Sequence, residues 1–319
     1  MDTLLRPNTW SEYIGQENIK RNLRVIIDAA IKRGEPVDHL LFYGQAGLGK
    51  TTLARLVARE MGSPMKVTTG PAIEKTGDLA AVLSNLEPND ILFIDEAHRL
   101  NRMIEEVLYP AMESRKLHIV IGKGAGARTV SIDLPPFTLI SATTRVNLLS
   151  EPLRSRFGAI LRLDYYDDKD IEKIIDRSAK ILGIAIDPDA VKILAKASRF
   201  TPRVANRLLK RARDYAEVGK KISIDAESAK ETLDMLEIDE LGLETYDRLL
   251  LNAIIDKFGG GPVGVGTLAA ALNEDRGVIE EVYEPYLLKI GLIRRTPAGR
   301  VAEASAYKHL GKKSKDQLL

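Results

Sequence analysis

The residues best placed to do chemistry are Gly44-Gln45-Ala46-Gly47-Leu48-Gly49-Lys50-Thr51, which match the spacing G-x-x-x-x-G-K-[ST]. Glycine lets a backbone turn its N–H groups inward around anionic oxygens. In this pattern Gly47, Leu48 and Gly49 offer backbone to phosphates, and Lys50 reaches the β- and γ-phosphates of a nucleoside triphosphate. Thr51 supplies a hydroxyl to Mg2+. Thr52 opens a helical run to Met61, whose N-terminal partial charge favours the same anion. The apolar run His39–Tyr43 precedes the loop, so strand, loop and helix follow in the order that confirms a phosphate-binding loop.

A second apolar strand opens at Asn89-Asp90 and closes on Asp95-Glu96. Asp95 there can hold Mg2+ through water, and Glu96 can polarise the attacking water. Thr144, ending the run from Phe137, is read either as a hydroxyl facing the γ-phosphate or as a strand-end residue in a turn. Arg154 and Arg156 lie in the loop Glu151–Gly158; the residues alone leave an arginine finger aimed at a neighbouring subunit and a surface ion pair both open. Arg203 opens a helix after Thr201-Pro202, a good N-cap followed by a proline suited to the first turn. It either swings onto the γ-phosphate or stays at the surface. Asp95-Glu96-Ala97-His98 and Ser141-Ala142-Thr143 spell words of another helicase superfamily. That reading requires a second full α/β nucleotide domain, and the rest of this chain is short and helical.

These groups need a frame. Strand candidates at His39–Tyr43, Asp90–Ile94, His118–Ile121 and Phe137–Ser141 alternate with amphipathic stretches, which predicts a parallel sheet flanked by helices. Leu117–Ile121 and Arg128–Leu134 around Gly122-Lys123-Gly124-Ala125-Gly126 predict a hairpin inserted before the Phe137 strand. Helical spacing follows over Asp168–Leu182, Pro188–Ser198 and Pro202–Val218. After Gly259-Gly260-Gly261-Pro262 come helices over Thr267–Leu272 and Arg276–Ile290. The strands Leu292–Arg295 and Arg300–Ala304 around Thr296-Pro297-Ala298-Gly299 complete a winged helix-turn-helix pattern. Arg294, Arg295 and Arg300 flank that last turn and fit either sequence-independent phosphate contact or a solvated hairpin.

Composition narrows the classes. Among 319 residues, 47 basic and 45 acidic residues leave a formal charge of +2, so any nucleic-acid contact must come from a local patch. With no cysteine, thiolate metal sites and cysteine nucleophiles are excluded. No apolar run reaches the roughly 18 residues of a membrane span, and the N-terminal residues lack a signal-peptide pattern, so a cytoplasmic protein is expected.

Taken together, Leu5-Arg6-Pro7, Tyr13–Asn18, the phosphate loop, Leu92–Glu96, Ala142–Arg145, Pro152–Gly158, Thr201–Arg207, Gly261–Gly264, Val282–Leu287 and Arg295-Thr296-Pro297 resemble the RuvB family of AAA+ motors that drive Holliday-junction branch migration. The resemblance runs through the chain in order. It implies an α/β AAA+ P-loop domain over 1–165, a small helical lid over 166–237 and a winged-helix DNA-binding domain over 238–319. It implies an ATP- and Mg2+-dependent homohexameric ring, without membrane attachment, acting on double-stranded DNA and four-way junctions in recombination and in repair of DNA damage. RuvA would dock on the hairpin 117–134, and RuvC would join in the resolving complex. By the same resemblance Lys50, Asp95, Glu96, Thr144 (sensor 1), Arg156 (arginine finger) and Arg203 (sensor 2) are catalytic. Leu5, Arg6, Ile14, Glu113, Ser114, Arg115 and Tyr166 join the phosphate loop, Arg156 and Arg203 around nucleotide. Thr51 and Asp95 hold the metal, and Arg295 and Arg300 meet DNA. An AAA+ switch or initiator that assembles a DNA complex is the competing reading. The sequence departs from the family at Gln45-Ala46 (usually two prolines), at Glu113-Ser114-Arg115 (usually Glu-Asp-aromatic), at Phe200 (usually glycine) and at Ala298 (usually arginine).

Overall fold

The computed structural model describes residues 4–121 and 128–313. The glycine turn expected over 122–126 lies outside them. Contacts divide the chain into two compact units, residues 1–174 with 201–206, and residues 175–200 with 207–319.

The first unit is built on five strands, β1 (Leu40–Tyr43), β2 (Met65–Thr69), β3 (Ile91–Asp95), β6 (Thr138–Thr143) and β7 (Ala159–Arg162). Their order is β2-β3-β6-β1-β7, and every pairing is parallel. β3 (Ile-Leu-Phe-Ile) and β6 are continuously buried because helices cover both faces, as parallel sheets require. Those helices include α1 (Glu17–Arg33), α2 (Lys50–Glu60), α3 (Thr76–Ser84) and α4 (Arg102–Ser114). Phe42 and Phe93 at the centre are wholly buried.

The edge strands β2 and β7 are absent from the sequence expectation. Both are short and only partly buried, so neither shows the apolar run that marked the central strands. His118–Ile121, expected as a strand, is not part of the main sheet. It lies in β4 (Lys116–Ile121), which pairs antiparallel with β5 (Arg128–Asp133) alone. The inserted hairpin is therefore present, with its base residues Leu117 and Leu134 buried in the core beneath.

In the second unit, most of α6 (Asp168–Leu182), α7 (Pro188–Lys196), most of α8 (Pro202–Val218) and α9 (Ala226–Met235) form the helical part. Then come α10 (Thr245–Asn252), α11 (Val265–Leu272) and a long helical run from Arg276 to Lys289, ending in the hairpin of β10 (Ile293–Thr296) and β11 (Gly299–Ala302). The run takes π geometry over Ile279–Tyr283, directly before Pro285, which cannot donate the i→i−4 bond.

The elbow before α8 is held by charge and aromatic packing. Arg199 donates from Nη1 and Nη2 to Asp247 at 3.1 and 3.3 Å, and its guanidinium lies 4.4 Å from the Tyr286 ring centroid. Asp247 is fully buried, and burial, only partly offset by Arg199, pushes its carboxyl pKa up. Phe200 has φ +56°, a left-handed conformation that costs a side chain about 1 kcal/mol and explains the glycine usual there. Its ring compensates by packing 6.0 Å from Tyr286, beside the Lys289 ammonium. Phe200→Ala keeps the backbone cost and loses the ring, so urea unfolding should show about 2 kcal/mol of destabilisation. Phe200→Gly should recover about 1 kcal/mol of that loss. An alanine variant as stable as the glycine variant would contradict the left-handed assignment.

Candidate functional site

The C-terminal ends of three neighbouring strands, β3, β6 and β1, converge on one edge of the sheet. They carry Asp95-Glu96, Thr143-Thr144 and Gly44 onward, so three motifs far apart in sequence meet at the crevice where parallel α/β sheets bind ligands. The loop after β1 turns through left-handed Gly44, Gly47 and Gly49 (φ +142°, +83° and +99°). These glycines also fit a crowded wall. A β-carbon on Gly44 would lie 2.5 Å from the Leu163 carbonyl oxygen, and one on Gly49 would lie 2.7 Å from the Tyr13 hydroxyl.

Lys50 begins α2, and its Nζ donates to the Gly44 and Gln45 carbonyls at 2.7 and 2.8 Å. Gln45 thus contributes through its backbone, and the departure from proline there leaves this contact in place. Burial lowers the Lys50 pKa to about 8, with Asp95 opposing the shift and Arg203 adding to it. The loop therefore holds a desolvated cation among carbonyls, which a polyphosphate would stabilise. Thr51 Oγ1 donates to Asp95 Oδ2 at 3.3 Å, and Asp95 Oδ1 accepts the Glu96 N–H at 2.9 Å. One hydroxyl beside one carboxylate suits Mg2+, a hard cation that takes few protein oxygens and completes its shell with water and phosphate. Bound there, Mg2+ would neutralise charge on the phosphates. Glu96 stands at φ +51°, exposed, with its carboxylate 3.5 Å from Arg99 Nη1. That pair holds the Glu96 carboxylate without burying it.

Thr144 is half-buried just beyond β6. Its neighbour Thr143 accepts the Arg145 N–H at 2.9 Å and hydrogen-bonds His98 Nδ1 at 3.0 Å. His98 thereby ties the turn after Asp95-Glu96 to the end of β6. Arg203 also reaches this site: a β-carbon on Gly47 would be 3.0 Å from that of Arg203. Thr201 caps α8 as expected, accepting the Val204 N–H at 3.4 Å.

Two tyrosines close the loop from behind. Tyr166 donates to Tyr13 Oη at 3.2 Å and to the Leu48 carbonyl at 3.3 Å; Tyr13 donates to the same carbonyl at 3.4 Å. Burial keeps both protonated, raising Tyr166 to about 12 and Tyr13 well above its ordinary value. Gln16 pins the adjacent chain through the Asp164 carbonyl at 2.6 Å and N–H at 3.3 Å. Sequence reasoning assigned a role to Tyr166 and none to Tyr13 or Gln16. The left-handed Gly15-Gln16 pair was the available signal, invisible without φ. Leu5 is buried, and Arg6 and Ile14 are half-buried, in the segment that runs into Tyr13.

Four expected site residues stand elsewhere. Arg156 donates to the Pro152 carbonyl at 2.6 Å and to Glu113 Oε2 at 3.0 Å, with its guanidinium 4.7 Å from the Tyr109 ring centroid. Its Nε is buried and has no hydrogen-bond partner among the described residues. Ser114 bonds the Pro110 carbonyl at 3.0 Å, and Arg115 ends α4 at φ +56°. Two contacts place this group: the Gly158 N–H on the His39 carbonyl at 2.9 Å, and His39 Nε2 against the Met112 carbonyl at 3.1 Å. Both lie where β1 begins, whereas the phosphate loop leaves where β1 ends, roughly 15 Å away at strand rise. Within one chain, the segments carrying Arg156, Glu113, Ser114 and Arg115 are therefore anchored at the opposite end of β1 from Lys50.

The arginines of the wing are partly committed within it. Arg300 is bound to Glu284 and Glu280, with 12% of its side chain exposed, and Arg295 is bound to Glu284 and 55% exposed. Ala298 occupies the exposed turn tip.

Three family models match successive segments. One described as the Holliday junction DNA helicase RuvB P-loop domain covers residues 5–163, the RuvB AAA lid domain covers 166–239, and the RuvB C-terminal winged helix domain covers 240–311. The chain is 58% identical over 307 residues to the Holliday junction branch migration complex subunit RuvB of Chloroflexus aggregans, covering 96% of this chain and 88% of that protein. The solved structure of the Thermotoga maritima RuvB Holliday junction branch migration motor superposes with a TM-score of 0.90 at 47% identity, covering 97% of this chain and 99% of that one. A substituted form of the same protein superposes at 0.91.

The Lys50 ammonium sets a pH dependence. Polyphosphate favours the charged lysine, so its pKa rises on binding from about 8. Below pH 7 both states are protonated and binding takes up no proton at this group. Near pH 9 the free protein is largely deprotonated there, so binding takes up a proton and affinity falls as pH rises. Calorimetry in buffers of different ionisation enthalpy should show this uptake at pH 9, and Lys50→Met should abolish it.

Proposed function

The chain belongs to the RuvB family of Holliday junction branch migration motors, and on that premise we propose that its ATP hydrolysis is completed between neighbouring copies in a homohexameric ring. It is an ATP-driven branch-migration helicase. In the proposed cycle Gly47, Leu48, Gly49, Lys50, Thr51 and Thr52 hold ATP. Leu5, Arg6, Ile14 and Tyr166 flank it, and Thr51 with Asp95 hold Mg2+. Glu96 polarises water, Thr144 orients the γ-phosphate, and Arg203 senses its loss through the movement of α8. Arg156, with Glu113, Ser114 and Arg115 beside it, serves the next subunit's nucleotide.

The observation that carries this reading is that the loop holding Arg156 is anchored through Gly158 where β1 begins, about 15 Å of strand from where the phosphate loop leaves β1. It supports action in trans, since a finger must reach the γ-phosphate to neutralise transition-state charge. The pairing with Glu113 and Tyr109 then parks the arginine until a neighbour presents phosphate. The remaining finer assignments are of the same kind: a large domain over 1–165, a lid over 166–237, a wing over 238–319 contacting duplex DNA through Arg295 and Arg300, RuvA docked on the hairpin 117–134, RuvC in the resolving assembly, and a cytoplasmic location.

Two measurements test the proposal. Arg156→Ala should lower kcat for ATP by about 10³-fold or more with little change in nucleotide affinity. Mixed with Lys50→Ala protein, itself inactive, it should regain turnover, because about a quarter of sites then pair an intact loop with an intact finger. Two inactive proteins that stay inactive on mixing, although mixed rings form, would exclude the trans arrangement. For the motor itself, a synthetic four-way junction should dissociate with ATP and RuvA; ATP-dependent assembly without dissociation would favour a switch instead.

A further inference from the structure

His98 and Thr143 end the two short words, Asp95–His98 and Ser141–Thr143, and neither has a part in the cycle above. The ladder between β3 and β6 runs from Ile91 against Thr138 to Ile94 against Ser141 and stops there. Ala142 and Thr143 continue only against β1, at Phe42 and Tyr43. Asp95 and Glu96 thus lie past the last pairing of β3 with β6, where Glu96 takes φ +51°. Their turn is closed on itself: the Arg99 N–H donates to the Glu96 carbonyl at 2.9 Å and the Leu100 N–H to the Ala97 carbonyl at 3.1 Å. Gly70 at the end of β2 packs against the Glu96 carbonyl so closely that a β-carbon there would overlap it. On the other side His98, half-buried in the turn, brings its Nδ1 to 3.0 Å from Thr143 Oγ1. Thr143 is buried and serves as a junction. Its carbonyl accepts the N–H of Gly44, the first residue of the phosphate loop, at 3.2 Å. Its hydroxyl oxygen accepts the Arg145 N–H at 2.9 Å, closing the turn that holds Thr144. One hydroxyl therefore joins the turn carrying Glu96 to the turn carrying Thr144.

We propose that His98 is a positioning residue for ATP hydrolysis: bonded to Thr143, its imidazole fixes the distance between Glu96 and Thr144, and so between the attacking water and the γ-phosphate. The inference rests on the reading that Glu96 polarises water and Thr144 meets the γ-phosphate, and adds what keeps the two in register. Both residues stand beyond the last β3–β6 pair, so no ladder bond sets their separation. The Glu96 carboxylate is exposed, with Arg99 at 3.5 Å, so its aim comes from the backbone of its turn. Reacting atoms must come within about 3 to 3.5 Å in line, and a misplacement of about 1 Å costs about 10²-fold in rate. Nucleotide binding draws instead on the phosphate loop and on Lys50, whose bonds to Gly44 and Gln45 do not pass through His98. A fault at His98 therefore falls on turnover and spares affinity. A residue that only filled space would show the reverse, a loss of stability with turnover intact.

The test uses the full chain, with ATP turnover on duplex DNA, ADP affinity by calorimetry and the thermal transition measured for each variant. His98→Phe keeps a ring but no hydrogen-bonding atom. It should lower kcat by about 30- to 100-fold and leave ADP affinity within about twofold of the parent. His98→Asn places an amide, able to donate or to accept, near the position of Nδ1, and should restore kcat to within about fivefold of the parent. Thr143→Val removes the other half of the bond without changing shape, and adding His98→Phe to it should cost little more. Should His98→Phe fail to fold, Thr143→Val must by itself lower kcat and spare affinity, and Thr143→Ser must restore turnover. Parent-like kcat in His98→Phe, equal losses in the phenylalanine and asparagine variants, or a parallel loss of ADP affinity would overturn the inference while leaving Glu96 and Thr144 in their roles. A Glu96→Gln or Thr144→Val protein that hydrolyses ATP like the parent would remove the underlying reading, and the inference with it.

Discussion

The parallel pairing of β3, β6 and β1 is the constraint from which the site follows. Side by side and pointing the same way, these strands bring Asp95, Thr143 and Gly44 to one edge across separations of about 50 residues. The same direction sends the chain back under the sheet before β7, which carries Arg156 to the other edge. A single geometric fact thus assembles most of a phosphate site and removes one arginine from it.

Two buried charges show how the protein handles desolvation. Lys50 sits among backbone carbonyls that satisfy its protons without cancelling its charge, so it stays easy to deprotonate and responsive to an arriving anion. Glu284 sits between two guanidinium groups that cancel its charge and fix its shape. The first arrangement awaits a ligand, and the second stiffens a hairpin. The Tyr13–Tyr166 pair on the Leu48 carbonyl is a third device, neutral and rigid, which keeps the phosphate loop in register with the chain leading to α6.

The phosphate loop, Asp95-Glu96, the buried central strands, the inserted hairpin and the winged pattern were all legible in the amino-acid sequence. Each rests on local rules: glycine at left-handed positions, apolar runs of strand length, paired runs around a turn. β2 and β7 escaped because edge strands lack the continuous burial that makes a strand visible. Tyr13 and Gln16 escaped because their partners, Leu48 and Asp164, are distant in sequence.

By itself the sequence determined that this protein binds and hydrolyses a nucleoside triphosphate, since that chemistry sits in contiguous motifs whose spacing is set by backbone geometry. It also carried the family, through ordered motifs from Leu5 to Arg295. Only the tertiary structure decided where each arginine stands, Arg203 beside Gly47 and Arg156 on Glu113. Arg203 and Arg156 look alike as letters beside a proline or a serine, and so do Arg295 and Arg300 in their hairpin. What separates them is the direction of β1 and the burial of one carboxylate, long-range properties that no local pattern encodes.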